Sequence, residues 1–169
     1  MTRTEPIDRA VAAGLFATAV AVTAAPFLIA IPGEPVLWNV TGLVLVTAAA
    51  VAAVMAGTLK ARVLAEGSGA RWSGWEAGWW VTFSVWVWSP IVMTTIALID
   101  EVLLPLLSGK TDWVGESFLG AMLAFFFLAL AGAALLPLAV LPGMMAGRLF
   151  AVFVGAGSAD DTPVAPASR

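Results

Sequence analysis

Residues 79–99 carry no charge and are mostly apolar. No other feature limits the fold as strongly. At about 1.5 Å per residue, a helix of this run covers the roughly 30 Å hydrocarbon layer of a bilayer. Lipid offers the backbone no hydrogen bonds, so a spanning segment of this kind closes its own as a helix. Three more apolar runs, at residues 11–31, 37–59 and 117–141, complete a set of four. The composition agrees: 61% of the chain is hydrophobic and 11% charged, against about 25% charged in soluble domains. An ordinary globular enzyme is excluded.

The third run is unusual in its tryptophans. Six of the eight lie within residues 71–99. At about 100° per residue, Trp72, Trp75, Trp79, Phe83 and Trp86 share one stripe, with Glu76 at its edge. The opposite side carries Gly74, Gly78, Thr82 and Ser89, a groove that admits a close neighbouring helix. Trp72, Trp75, Trp79 and Trp80 suit the headgroup level, where the ring is buried and the N–H stays wet. Trp86 and Trp88 sit two to three turns deeper, where an indole N–H needs a protein partner. The pattern predicts packing against sister helices for both, with a pocket for a ligand, lipid or pigment as the alternative. Pro90 removes a backbone bond and predicts a bend near Trp86 or Val87, a place where a cavity can form.

Residues 1–8 read as a short polar start. The first span is interrupted by Pro26, and Ala13, Ala17, Ala21 and Ala25 repeat every four residues as a packing face. A cleaved signal peptide is disfavoured, because Glu5 and Asp8 dilute the positive start and the apolar run is too long. Pro32-Gly33-Glu34-Pro35 is a tight turn. The second span opens on Trp38 as an interfacial anchor and carries a small-residue row at Ala49, Ala53 and Gly57. A polar loop with Lys60, Arg62, Glu66, Gly67-Ser68-Gly69 and Arg71 leads to the tryptophan span. That span is expected to end at Asp100-Glu101, two anions that oppose a helix C-terminal dipole unless the helix runs on or a cation compensates. Residues 102–107 read as an interfacial segment, and Trp113 as the anchor of the return. Pro137 and Pro142-Gly143 are expected to bend or end the fourth span. Residues 144–154 surround a single Arg148 and read as an interfacial helix whose arginine snorkels to the headgroups. Residues 155–169 read as a disordered tail.

Seven of the eight basic residues (Arg3, Arg9, Lys60, Arg62, Arg71, Arg148 and Arg169, against Lys110) fall on one side of such a topology. The positive-inside rule then places both termini in the cytoplasm, which requires an even number of spans. The opposite face holds Glu34, Asp100, Glu101, Asp112 and Glu116 and is acidic. The expected architecture is therefore an all-α integral membrane protein: one four-helix transmembrane domain over residues 1–154, cytoplasmic termini and a C-terminal interfacial helix. Arginine over lysine, with abundant alanine, valine and glycine, points to a prokaryotic inner or plasma membrane.

Chemistry is sparsely signalled. Cysteine and histidine are both absent, which removes disulfides, thiol and serine–histidine catalysis, and nearly all zinc, copper and haem ligation. There is no phosphate-binding loop and no GxSxG, and no cofactor is implied. Without a basic patch, nucleic acid is not an expected partner. The candidate functional residues are Glu76, Trp86, Trp88, Pro90, Asp100 and Glu101. Glu76 reads either as a cation or proton site among indoles, or as a first-turn carboxylate favoured by the helix dipole. The expected function is a non-catalytic subunit or assembly partner of a larger membrane complex, in contact with lipid and with other subunits or itself. A small transporter or channel subunit, with Thr82, Ser84, Ser89, Thr94 and Thr95 as a polar path, is the second reading. A lipid-modifying enzyme is the third.

Overall fold

A computed structural model describes residues 5–65, 73–109 and 114–160. The helices are α1 (Glu5–Ala30), α2 (Pro35–Leu64), α3 (Gly74–Leu98), α4 (Leu104–Leu107) and α5 (Val114–Asp160), with a π turn at Ile99–Leu103 between α3 and α4. Among the described residues, four stretches are long and apolar enough to cross a membrane: Glu5–Ala30, Leu37–Leu64, Gly74–Leu107 and Ser117–Gly155. The chain is a multi-pass, all-helical membrane protein. Trp72, Lys110, Asp112, Trp113, the glycine-serine loop and residues 161–169 lie outside the described residues.

α1 and α2 form an antiparallel pair. Gly33 takes a left-handed backbone at φ 85° in the turn, which a Cβ would disfavour. Pro35 opens α2 at a position where its missing N–H is harmless. Trp38 is half exposed one turn later, as an interfacial indole should be. At the other end of the pair, the Lys60 ammonium sits 2.7 Å from an Asp8 carboxylate oxygen.

α3 and α5 also run antiparallel, and their contact is the tightest in the fold. Gly74 and Gly78 of α3 face Gly143 and Gly147 of α5. A Cβ built on Gly74 would stand 2.6 Å from the Arg148 Cα. One on Gly78 would meet the Gly143 carbonyl, and one on Gly147 the backbone of Gly74 and Gly78. Thr82 closes the seam by filling the space beside Gly143. The small groove expected on the tryptophan helix is therefore occupied, by a second small groove on α5.

A core then closes the end of the bundle where α1 starts and α5 finishes. Ala12 and Phe16 of α1, Ala52, Ala56, Leu59 and Val63 of α2, Ala77 and Val81 of α3, and Ala146, Phe150 and Val154 of α5 are all buried in it.

Several expectations are corrected. Residues 144–154 are no separate interfacial helix: α5 continues through Pro137 and Pro142. The Gly143 and Gly147 seam holds that segment beside α3, and Phe150 is completely buried in the core. A transmembrane helix tolerates proline because neighbours re-satisfy the freed carbonyls. Pro26 likewise leaves α1 unbroken. Residues 102–107 are not a detached interfacial segment but extend the third span through the π turn. Gly109, at φ 80°, then stops it. α5 reaches Asp160, so the first part of the expected tail is helical. The packing stripes of the first two helices are displaced by one residue. Asp8, Ala12, Phe16 and Ala19 are buried on α1 rather than the row from Ala13 to Ala25, and Ala48, Ala52 and Ala56 on α2 rather than Ala49, Ala53 and Gly57.

The seam makes a direct prediction. Gly78→Leu must separate two touching backbones, at a cost of about 3 kcal/mol or more, and should lower the thermal midpoint of the detergent-solubilised protein sharply. Gly57→Leu, where an added Cβ meets nothing within 4 Å, should leave it almost unchanged. Equal midpoints for the two variants would contradict the seam.

Candidate functional site: a central apolar cavity

Along α3 from Thr82 to Met93 the bundle is more open. α3 and α5 lean on each other, α1 and α2 on each other, and the space between the pairs is a cavity of about 290 Å³ walled by all four long helices. Small residues leave the volume unfilled: Ala19 and Ala24 on α1, Ala48 on α2, Ala131, Gly132 and Ala139 on α5. Phe16, Phe27, Leu37, Val85, Met93 and Leu135 supply bulkier apolar walls.

Few polar groups line it, and most are already engaged. Thr23 donates to the Ala19 carbonyl at 2.8 Å, Thr82 to Gly78 at 2.9 Å and Ser89 to Val85 at 2.7 Å. Each is the usual return of a helical hydroxyl to the carbonyl four residues earlier. Thr41 of α2 adds a hydroxyl without such a bond to the wall. Trp86 is the other exception. Its indole Nε1 is buried and has no hydrogen-bond partner. Pro90, which also lines the cavity, removes the N–H that would otherwise bond the Trp86 carbonyl. The ring rests against Gly132, where an added Cβ would stand 2.9 Å from Cδ1 and 3.0 Å from Nε1. On its other side Trp86 meets Phe83, centroid to centroid at 5.4 Å, and Phe83 in turn stacks on Trp79 at 6.2 Å. Of the expected aromatic stripe, Trp79, Phe83 and Trp86 thus form a continuous row that reaches the cavity wall.

The six candidate residues separate. Trp86 and Pro90 meet at the cavity. Trp88 is 52% exposed and faces outward. Glu76 closes a capping box at the start of α3, with the Ser73 N–H donating to its carboxylate at 2.7 Å and its own N–H donating to Ser73 Oγ at 3.2 Å. That is the geometry of a first-turn carboxylate. Glu76 also shares a shallow cleft of about 620 Å³ with Arg148, whose guanidinium lies 5.3 Å above the Trp75 ring. Asp100 and Glu101 are exposed within the π turn at the opposite end. The helix runs past them, which removes them from its C-terminus and from an unfavourable dipole.

The hydroxyls expected to form a polar path do not share a face. Ser84 and Thr95 are turned to their own helix carbonyls on the outside, at 2.8 and 2.7 Å, while Thr94 Oγ1 is buried without a partner. Asp8 is not among the six candidates, yet it is a buried ionic group, its side chain 10% exposed against 33% for Lys60. Only the tertiary pairing reveals it, since the sequence places it in a polar start. Among the described residues no group of three metal-binding side chains assembles.

Removing one member of a buried ion pair strands the other, which costs more than removing both. Lys60→Met should therefore destabilise the solubilised protein by about 2–3 kcal/mol, and adding Asp8→Asn should recover much of the loss. A double variant no more stable than the single one would show that the pair acts through something other than charge.

No protein-family model, curated protein or solved structure matches this chain.

Proposed function

We propose that this chain is a non-catalytic, membrane-embedded subunit that assembles with a larger membrane protein. The observation that carries this reading is the uneven packing of the bundle. One end is closed by a core from all four long helices. At the other, the far part of the third span and the near part of α5 turn a dense set of large side chains outward. Leu104, Leu107, Phe118, Phe126, Phe127 and Leu130 are 52–76% exposed there. Lipid can cover such a surface, but two helices that leave one side of their own bundle while carrying this much aromatic and branched area suit a partner's helices. The conducting alternative has less support, because four of the five hydroxyls it relies on, those of Thr82, Ser84, Ser89 and Thr95, are turned back on their own helix. The lipid-modifying alternative has none from the described side chains.

The exposed pair decides the test. A photo-cross-linking residue at Phe126 or Phe127, irradiated in membranes, should yield a discrete adduct with one larger membrane protein, and the two should co-purify in fixed ratio after mild extraction. The same residue at Val54, 83% exposed on α2, should not. Adducts with lipid only, together with a homogeneous homo-oligomer that passes solutes in liposomes, would replace this reading with the transporter one.

We also assign both chain ends to the cytoplasm of a prokaryotic cell, on the seven-to-one distribution of basic residues. The chain has no native cysteine, so single cysteines report directly. Cysteines at Arg9 and Ser158 should be shielded from an impermeant maleimide in intact cells, and one at Gly109 should react. Labelling of the first two would reverse the orientation.

A further inference from the structure

We propose that the central cavity holds one acyl chain of a bilayer lipid, whose ester carbonyl accepts a hydrogen bond from the Thr41 hydroxyl. The polar groups of the wall select Thr41. The hydroxyls of Thr23, Thr82 and Ser89 give their protons to carbonyls of their own helices, so they offer a ligand none. The Trp86 Nε1 is sealed against Gly132 and out of reach. Thr41 remains. It lines the cavity, is only 8% exposed, and keeps its proton from the carbonyl four residues back, where a helical hydroxyl usually sends it. A buried donor left unmet is costly, and an acceptor in the cavity meets it.

Depth identifies that acceptor. Thr41 lies three residues along α2 from Trp38, which is half exposed as an interfacial anchor. Three residues are about 4.5 Å of helix rise, so Thr41 stands just inside the headgroup level, where lipid esters lie. From there Val44 and Ala48 continue the wall inward, toward Phe16 and Thr82. At about 290 Å³ the cavity is near the lower limit of small-molecule pockets. It admits a length of one hydrocarbon chain but not a whole phospholipid, and its half-open wall leaves the rest of the molecule in the bilayer. Other occupants fit less well. Water needs two to four polar partners and avoids apolar cavities. A fatty-acid carboxylate would find no counter-ion, because no charged residue lines the wall.

The test uses the full chain, stripped of lipid in mild detergent, with lipid binding read by native mass spectrometry. The first copy of dioleoylphosphatidylcholine should bind about fivefold more tightly than its ether-linked analogue, which lacks the carbonyls; that is the scale of one hydrogen bond. Thr41→Val should lower ester binding to the ether level and leave ether binding unchanged, while Thr41→Ser, which keeps the hydroxyl, should bind as the unmodified chain does. Dioleoylglycerol, with the same esters and no phosphate, should bind as tightly as the phospholipid. Ala139→Phe, which fills the cavity from α5, should abolish binding of all three; if it fails to fold, the two Thr41 variants still decide. Equal affinity for ester and ether, a serine variant no better than valine, or undiminished binding by a folded Ala139→Phe would overturn the proposal. So would a requirement for the phosphate, because the lipid would then be held by its headgroup elsewhere.

Discussion

The close approach of two backbones along Gly74, Gly78, Gly143 and Gly147 is the contact on which the rest of this bundle depends. Within lipid, apolar side chains gain nothing by leaving one hydrocarbon environment for another, so helix pairing rests on packing at short range. Removing the side chains along one line on each helix allows that range. The seam also sets the level of everything beside it. It holds Phe150 and Val154 in the same buried core as Leu59 and Val63 of α2, and it brings Arg148 over Trp75 at the end of the bundle.

From that fixed end the two helix pairs separate, and the cavity is the result. Alanine and glycine, which allow contact in the closed half, leave empty volume around the cavity, where no larger side chain fills the space between the helices. The same residue types thus give tight packing or a void, according to the distance set by the seam. The polar groups obey the same division. Asp8 and Lys60 satisfy each other in the closed half, while the unpaired Trp86 N–H and Thr94 hydroxyl lie further along α3.

The four spans, the turn at Gly33 and the groove along Gly74, Gly78 and Thr82 are legible in the sequence, because each depends on a local pattern. The partner groove is not, because Pro142-Gly143 resembles a helix stop wherever water can take up the freed carbonyls, and here it lies against another helix. On α1 and α2 alanine occupies neighbouring stripes, as at 12 and 13 or 48 and 49, so side-chain size alone cannot select between them. Phe16 and Leu59 select the buried stripe, but only once a partner exists. Asp8 is hidden for a related reason: its burial is set by a lysine 52 residues away. Trp86 and Trp88 can be told apart in principle, since two residues on a helix differ by about 200° and one face cannot hold both. That one of them borders a void depends on the divergence of the helix pairs, which no single segment encodes.

The π turn at Ile99–Leu103 resets the phase of the helix beyond it. A π turn is an α-helix carrying one surplus residue, so everything from Leu104 onward is rotated by about 100° from the phase that α3 would otherwise impose. The hydrophobic face of Leu104–Leu107 is thereby uncoupled from the aromatic row upstream. A one-residue insertion or deletion here alters the direction of the short helix α4 without turning the tryptophans of α3, which leaves this rim of the molecule free to diverge in sequence while the faces of α3 stay in place.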